Sequence, residues 1–166
     1  MLVLLTAGYV YKKTAGDIKD YLANMPSYDA AVWARGHTQP EQVFAFKDTG
    51  VFGFYSERRT VNLDGLVNNL EFQESIHDYQ LNDYFERKSV DYLVYHAFDL
   101  YDSVKVGYGE FDIKFWSKKY KHESERLKFY EPDELYRSPT YQYPADTLRM
   151  MAVVWRYRED AERLKR

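Results

Sequence analysis

Hydrophobic and polar positions along the chain change period several times, and each change predicts an element. After Thr14, the apolar residues Ile18, Tyr21, Leu22 and Met25 recur at i, i+3, i+4 and i+7, the spacing of one helix face. Thr14 and Asp17 form a box-like start, with Asp in the role usually taken by Glu, and Pro26 marks the end. Ser27 is placed to cap a second helix over Tyr28–Arg35, which buries Ala31, Val32 and Trp33 and stops at Gly36. His37–Pro40 reads as a turn. Gln42–Phe46 then reads as a short buried strand running into Asp48-Thr49-Gly50. Val51–Tyr55 is a compact apolar turn or short helix loosened by Gly53. Arg59–Leu63 is a second strand closed by Asp64-Gly65. Asn68 with Glu71 begins a helix over Leu70–Lys88, with Ile76, Leu81, Tyr84 and Phe85 on its apolar face. Val90–Tyr95 is a third strand. Strand, crossover, strand, helix and strand predict a βαβ-like core with parallel pairing.

After Asp99 the period is two. Val104, Val106 and Tyr108 alternate, as do Phe111, Ile113 and Phe115, with a slip near Gly109 of the kind a β-bulge introduces. A turn around Lys118–Glu123 leads to a partner strand at Arg126–Tyr130. Ser138–Pro144 is a loop carrying Tyr141 and Tyr143, and Leu148–Arg158 is the last strand. No internal repeat or low-complexity linker interrupts the pattern. The expected fold is α/β (α+β): a small three-layer or two-layer mixed sheet, βαβ-like in its first half and with antiparallel strands in its second. One domain spans residues 14–158, with a charged tail over 159–166.

Composition sharpens this picture in three places. At 166 residues, with 45% hydrophobic and 30% charged residues, the chain can bury a real core. The net charge of −3 argues against broad nucleic-acid binding, which needs a positive surface to release counterions. The absence of cysteine excludes disulfides, thiolate metal sites and a thiol nucleophile. The opening MLVLLTAGYVY is uncharged and apolar but short of the roughly 20 residues that span a bilayer. It lacks the basic start of a signal peptide, and Tyr9-Val10-Tyr11 is a poor cleavage site. Residues 1–13 are therefore read as the end of a membrane helix or as an N-terminal strand.

Candidate chemistry is sparse. Asp48-Thr49-Gly50 invites comparison with aspartic proteases, but it occurs once, and Lys47 and Val51-Phe52-Gly53 are the wrong flanks. The structural reading is that Asp48 caps the turn after a strand by accepting backbone N–H bonds. His37, His77, His96 and His122 are not at metal-ligand spacings, and no metal or cofactor site is expected. Gly107-Tyr108-Gly109 lacks the third glycine of a dinucleotide fingerprint. The densest polar cluster is Arg58 and Arg59 with Asn62, Asp64 and Asn68, at strand and helix ends where loops present side chains to ligands. The competing reading is that Asp64 and an arginine pair to tie the loops together. The 17 tyrosines suggest sugar stacking or contact with a membrane surface, beyond ordinary strand packing. Tyr101, Tyr141 and Tyr143 are the candidates in apparent loops.

The string Phe46-Lys47-Asp48-Thr49-Gly50-Val51-Phe52-Gly53-Phe54-Tyr55-Ser56, followed by Arg58-Arg59-Thr60-Val61-Asn62-Leu63-Asp64-Gly65-Leu66-Val67-Asn68, resembles a pattern near the C-terminal end of bacterial polytopic membrane proteins. These are glycosyltransferases of the GT-C type, which use lipid-linked sugars and are related to protein mannosyltransferases. Val90-Asp91-Tyr92-Leu93-Val94 matches the strand that follows that string, and Trp33 fits an upstream helix. The resemblance covers about a third of the chain.

It implies a soluble domain on the extracytoplasmic side, periplasmic or extracellular, joined to the membrane portion of the same polypeptide. It also implies that residues 1–11 are the exit end of a membrane helix. The family's catalytic carboxylates lie in an early loop with no counterpart here, so no catalytic residue carries over. The expected function is that of a non-catalytic accessory domain. It would contact glycan, lipid-linked sugar or a partner through Asp48, Arg58, Arg59, Asn62, Asp64, Asn68, Tyr141 and Tyr143, without nucleic acid. The alternatives are a free-standing soluble binding protein and, more remotely, a hydrolase using Asp48 or Asp64.

Overall fold

The computed structural model describes residues 24–63, 70–77, 80–99, 109–112, 126–129, 133–142 and 149–157. Helix α1 covers residues 24–37. It is followed by β1 (Val43–Phe46), α2 (Thr49–Ser56), β2 (Arg59–Asn62), α3 (Leu70–His77), α4 (Leu81–Arg87) and β3 (Val90–Asp99). The second half contributes β4 (Gly109–Asp112), β5 (Arg126–Phe129), β6 (Glu134–Arg137), β7 (Tyr141–Gln142) and β8 (Arg149–Arg156).

The main sheet is ordered β2-β1-β3-β8-β6, with β7 also on β8. Strands β1, β2 and β3 are parallel, as the strand–crossover–strand pattern predicts. Strand β8 runs antiparallel to β3 over eight register pairs, and β6 and β7 run antiparallel to β8. Strands β4 and β5 form a separate antiparallel pair. The fold is therefore a mixed α+β architecture around an open sheet, with parallel pairing first and antiparallel pairing after.

Period-two alternation divides the core between the faces of the sheet. Phe44, Phe46, Tyr92, Val94, Ala152 and Val154 pack with Ala30, Ala31 and Ala34 of α1 and Phe52 of α2. Val43, Ala45, Leu93, Ala97, Met151, Val153 and Trp155 pack with Phe72 of α3 and Leu81, Tyr84 and Phe85 of α4. With helices on both faces, β1 and most of β8 are buried at every position, so these strands read as continuous apolar runs.

Two irregularities in the sheet are repaired by side chains. The β1–β3 register shifts between Val43 and Phe44, and the Asp91 carboxylate accepts the Val43 N–H at 2.8 Å. Between β6 and β7, Ser138 donates its N–H to Ala152 O at 2.9 Å, and its Oγ accepts the Ala152 N–H at 2.9 Å. A hydroxyl thus completes the ladder just before Pro139, a residue without an N–H.

Several local expectations are corrected. Ser27 does not cap a helix: it and Pro26 lie buried within α1, which passes through Gly36 to residue 37. Val32 faces solvent, and Ala30, Ala31 and Ala34 form the buried side of α1. The single helix expected over Leu70–Lys88 is instead two, with Gln80 in non-helical geometry at the N-cap of α4. Tyr141 is in a short strand on β8, not in a loop. Strand β6 was not anticipated at all. The alternation expected over 104–108 and most of 111–115 lies outside the described residues, as do residues 1–13 and the tail.

Candidate functional site on the first two helices

Three of the sequence-predicted polar residues, Asp48, Arg58 and Asn62, gather where β1, β2, α1 and α2 meet. Asp48 occupies the N-cap position of α2, but its carboxylate caps no backbone N–H. It turns instead to His96 on β3, with Oδ2 3.2 Å from Nδ1. Alternation places His96 on the same face as Tyr92 and Val94, so the ring is buried at 8% exposure with its edge against Phe46, centroids 4.9 Å apart. The other ring nitrogen, Nε2, lies 3.0 Å from Ser27 Oγ.

Hydrogen-bond chemistry assigns the directions. An ionised carboxylate only accepts, so Nδ1 carries a proton and donates to Asp48. Nε2 accepts from the Ser27 hydroxyl when the ring is neutral and donates to Ser27 Oγ when the ring is charged. The hydrogen bond from His96 holds the Asp48 carboxyl below its ordinary range; burial opposes this, and the charges of His96 and Lys47 reinforce it.

Hydroxyl, imidazole and carboxylate stand in the order that activates a nucleophile. Exposure runs the other way. Ser27 is 1% exposed, whereas the side chain of Asp48 is 62% exposed. The attacking group is closed off and the orienting group faces water, so the three groups act as a tether holding α1 and the start of α2 to β3.

Arg58 supplies a second tether. Its guanidinium makes five hydrogen bonds, as many as it has N–H groups. Nη2 donates to Arg35 O and Thr38 O at 2.8 Å each, Nε donates to Thr38 Oγ1 at 3.1 Å, and Nη1 donates to Ser56 O and Glu57 O at 3.4 and 3.3 Å. The carbonyl ends of α1 and α2 therefore converge on one cation, which satisfies them and complements both helix dipoles. Asn62 donates to Thr49 Oγ1 at 2.9 Å, joining the end of β2 to the start of α2.

Arg59 stands exposed at the beginning of β2, beside Val43 in register. Tyr141 donates to the Asp29 carboxylate at 2.5 Å, securing the sheet edge to α1. Asp64, Asn68, Tyr101 and Tyr143 lie outside the described residues, so the Asp64–arginine pairing does too. The structure thus brings Asp48, Arg58 and Asn62 to one region and places Arg59 and Tyr141 elsewhere.

Above these tethers α1 and α2 expose an aromatic ridge that sequence reasoning missed. Phe54 is 76% exposed, Tyr55 42% and Tyr28 38%. Tyr55 stands perpendicular to both neighbours, with centroids 4.8 Å from Tyr28 and 5.0 Å from Phe54. Val32 continues the apolar strip one turn along α1, and Arg35 and Glu57 close it with a 3.3 Å ion pair. A usable signal was present: in a helix over Val51–Tyr55, burying Phe52 leaves Phe54 on the opposite side. Among the described residues, no group of three or more acidic or histidine side chains could hold a metal ion, and no helix is long and apolar enough to cross a membrane.

Residues 17–147 match the family model described as Domain of unknown function (DUF8728), and the chain belongs to that family. Neither the curated proteins nor the solved structures provide a match.

Proposed function

We propose that the chain is a non-catalytic accessory domain on the extracytoplasmic side of a membrane glycosyltransferase-like protein, where it contacts glycan, lipid-linked sugar or a partner. The observation that carries this reading is a division of labour within the string from Phe46 to Asn62. Three of its polar side chains tie parts of the fold together: Asp48, though open to solvent, reaches His96, Arg58 binds the ends of two helices and Asn62 binds Thr49. Its aromatic residues Phe54 and Tyr55 point outward. A stretch whose Asp48, Arg58 and Asn62 are engaged in holding its own architecture, and which presents rings to the surroundings, suits contact better than bond-making.

The absence of cysteine from this sequence allows a direct test. Glu41→Cys places a thiol at an exposed position outside the elements described above. In the native cell, a membrane-impermeant maleimide is expected to label this position in intact cells, with the protein recovered in the membrane fraction. Labelling only after lysis, or recovery in the soluble cytoplasmic fraction, contradicts the proposal.

A further inference from the structure

We infer that the ridge formed by Tyr28, Tyr55 and Phe54 is a stacking site for an uncharged sugar ring. Three large aromatic side chains at 38%, 42% and 76% exposure are held in fixed mutual geometry, with interplanar angles of 84° and 83° about Tyr55. Such a corner offers ring faces to the C–H side of a pyranose and ring edges beside it. The ridge is also rigidly mounted. Ser27, the neighbour of Tyr28, is anchored to His96, and the carbonyls beside Tyr55, of Ser56 and Glu57, are held by Arg58. Stacking residues that are already ordered lose little freedom when a ligand arrives.

Polar chemistry selects the ligand class. Among the described residues the hydroxyls of Tyr28 and Tyr55 have no protein partner, and both rings are partly open to solvent. They are available to donate to and accept from sugar hydroxyls. The charges at the end of the ridge cancel, because Arg35 and Glu57 pair with each other at 3.3 Å. Paired charges at that end favour a neutral ligand over an anionic headgroup or phosphate. The guanidinium and carboxylate of that pair still offer a donor and an acceptor to neighbouring diols.

The inference deepens the accessory-domain reading and rests on it for the setting in which a glycan is met. Its test is separate, since maleimide labelling decides the side of the membrane and sugar binding decides the ridge. The whole chain is titrated with uncharged gluco-, manno- and galacto-oligosaccharides, and in parallel with neutral and anionic phospholipid vesicles. At least one oligosaccharide is expected to bind. Phe54→Ala and Tyr55→Ala, each folded by circular dichroism, should each weaken that binding about fivefold or more. Glu74→Ala, on a helix across the sheet, should leave it unchanged. Three results overturn the inference: no oligosaccharide binding at millimolar concentration, binding indifferent to both aromatic substitutions, or ridge-dependent binding to vesicles with none to sugars.

Discussion

His96 and Ser27 stand 69 positions apart and meet through a 3.0 Å hydrogen bond inside the layer between α1 and the sheet. Ser27→Ala leaves Nε2 of a buried ring without this partner. A lost hydrogen bond of this kind costs about 0.5–1.5 kcal/mol, and urea denaturation should register a loss of that order. A loss below about 0.5 kcal/mol, within the range of ordinary surface substitutions, would show that the bond contributes little.

Acid should weaken the same tether from its other end. The folded-state pKa of Asp48 lies below the ordinary carboxylate range, because the carboxylate accepts from His96. A depressed carboxylate pKa adds stability above the unfolded value, near 3.9, and that stability is lost as pH falls through the folded value. The unfolding free energy should therefore decline from about pH 5 downward, and the decline should be shallower in Asp48→Asn. Identical pH slopes for the two proteins would remove Asp48 from the account.

Three glycines should respond differently to alanine. Gly36 and Gly50 have open space where a Cβ would sit, and neither requires a left-handed backbone. Both are in helices, so each substitution should stabilise by roughly 0.5–1 kcal/mol. At Gly53 a Cβ would sit 3.3 Å from Thr60 Oγ1, where α2 approaches β2. Gly53→Ala should gain less than Gly50→Ala or lose stability, and Thr60→Ala should restore the difference. Equal melting-temperature gains at all three positions would contradict the close approach.

Ser138→Ala tests the repaired sheet edge. The Ala152 N–H is buried and donates to Ser138 Oγ, so removing the hydroxyl strands a backbone donor. The expected cost is about 1–3 kcal/mol, with faster amide exchange at Ala152. Wild-type protection of that amide in the variant would be inconsistent with the bond.

The sequence made the central strands legible because both faces of the sheet are covered. Gln42–Phe46 and Leu148–Arg158 contain β1 and β8, Val90–Tyr95 is the first part of β3, which runs on to Asp99, and Arg59–Leu63 contains the edge strand β2. Strand β6 was hidden by its polar sequence, Glu-Leu-Tyr-Arg, at the sheet edge. Pro26 and Ser27 carried strong local signals for a break and a cap, and packing overrode both. The pairing of His96 could not be read from spacing, since its partners come from α1 and the β1–α2 junction. A weaker signal existed: a histidine on the buried parity of a strand must find polar partners. Arg58 was legible as a polar residue near a strand end, but its acceptors are mostly main-chain carbonyls, which side-chain patterns do not reveal.

The division of labour between Arg58 and Phe54 is the centre of the account, and chemical denaturation of two single variants tests it most directly. Arg58→Ala removes five hydrogen bonds and the cation at two helix ends, and should cost about 2–4 kcal/mol, with Arg58→Lys recovering little of it. Phe54→Ala removes a ring that is 76% exposed and should change stability by less than about 0.5 kcal/mol. A protein that tolerates Arg58→Ala but is destabilised by Phe54→Ala would reverse these roles and contradict the account.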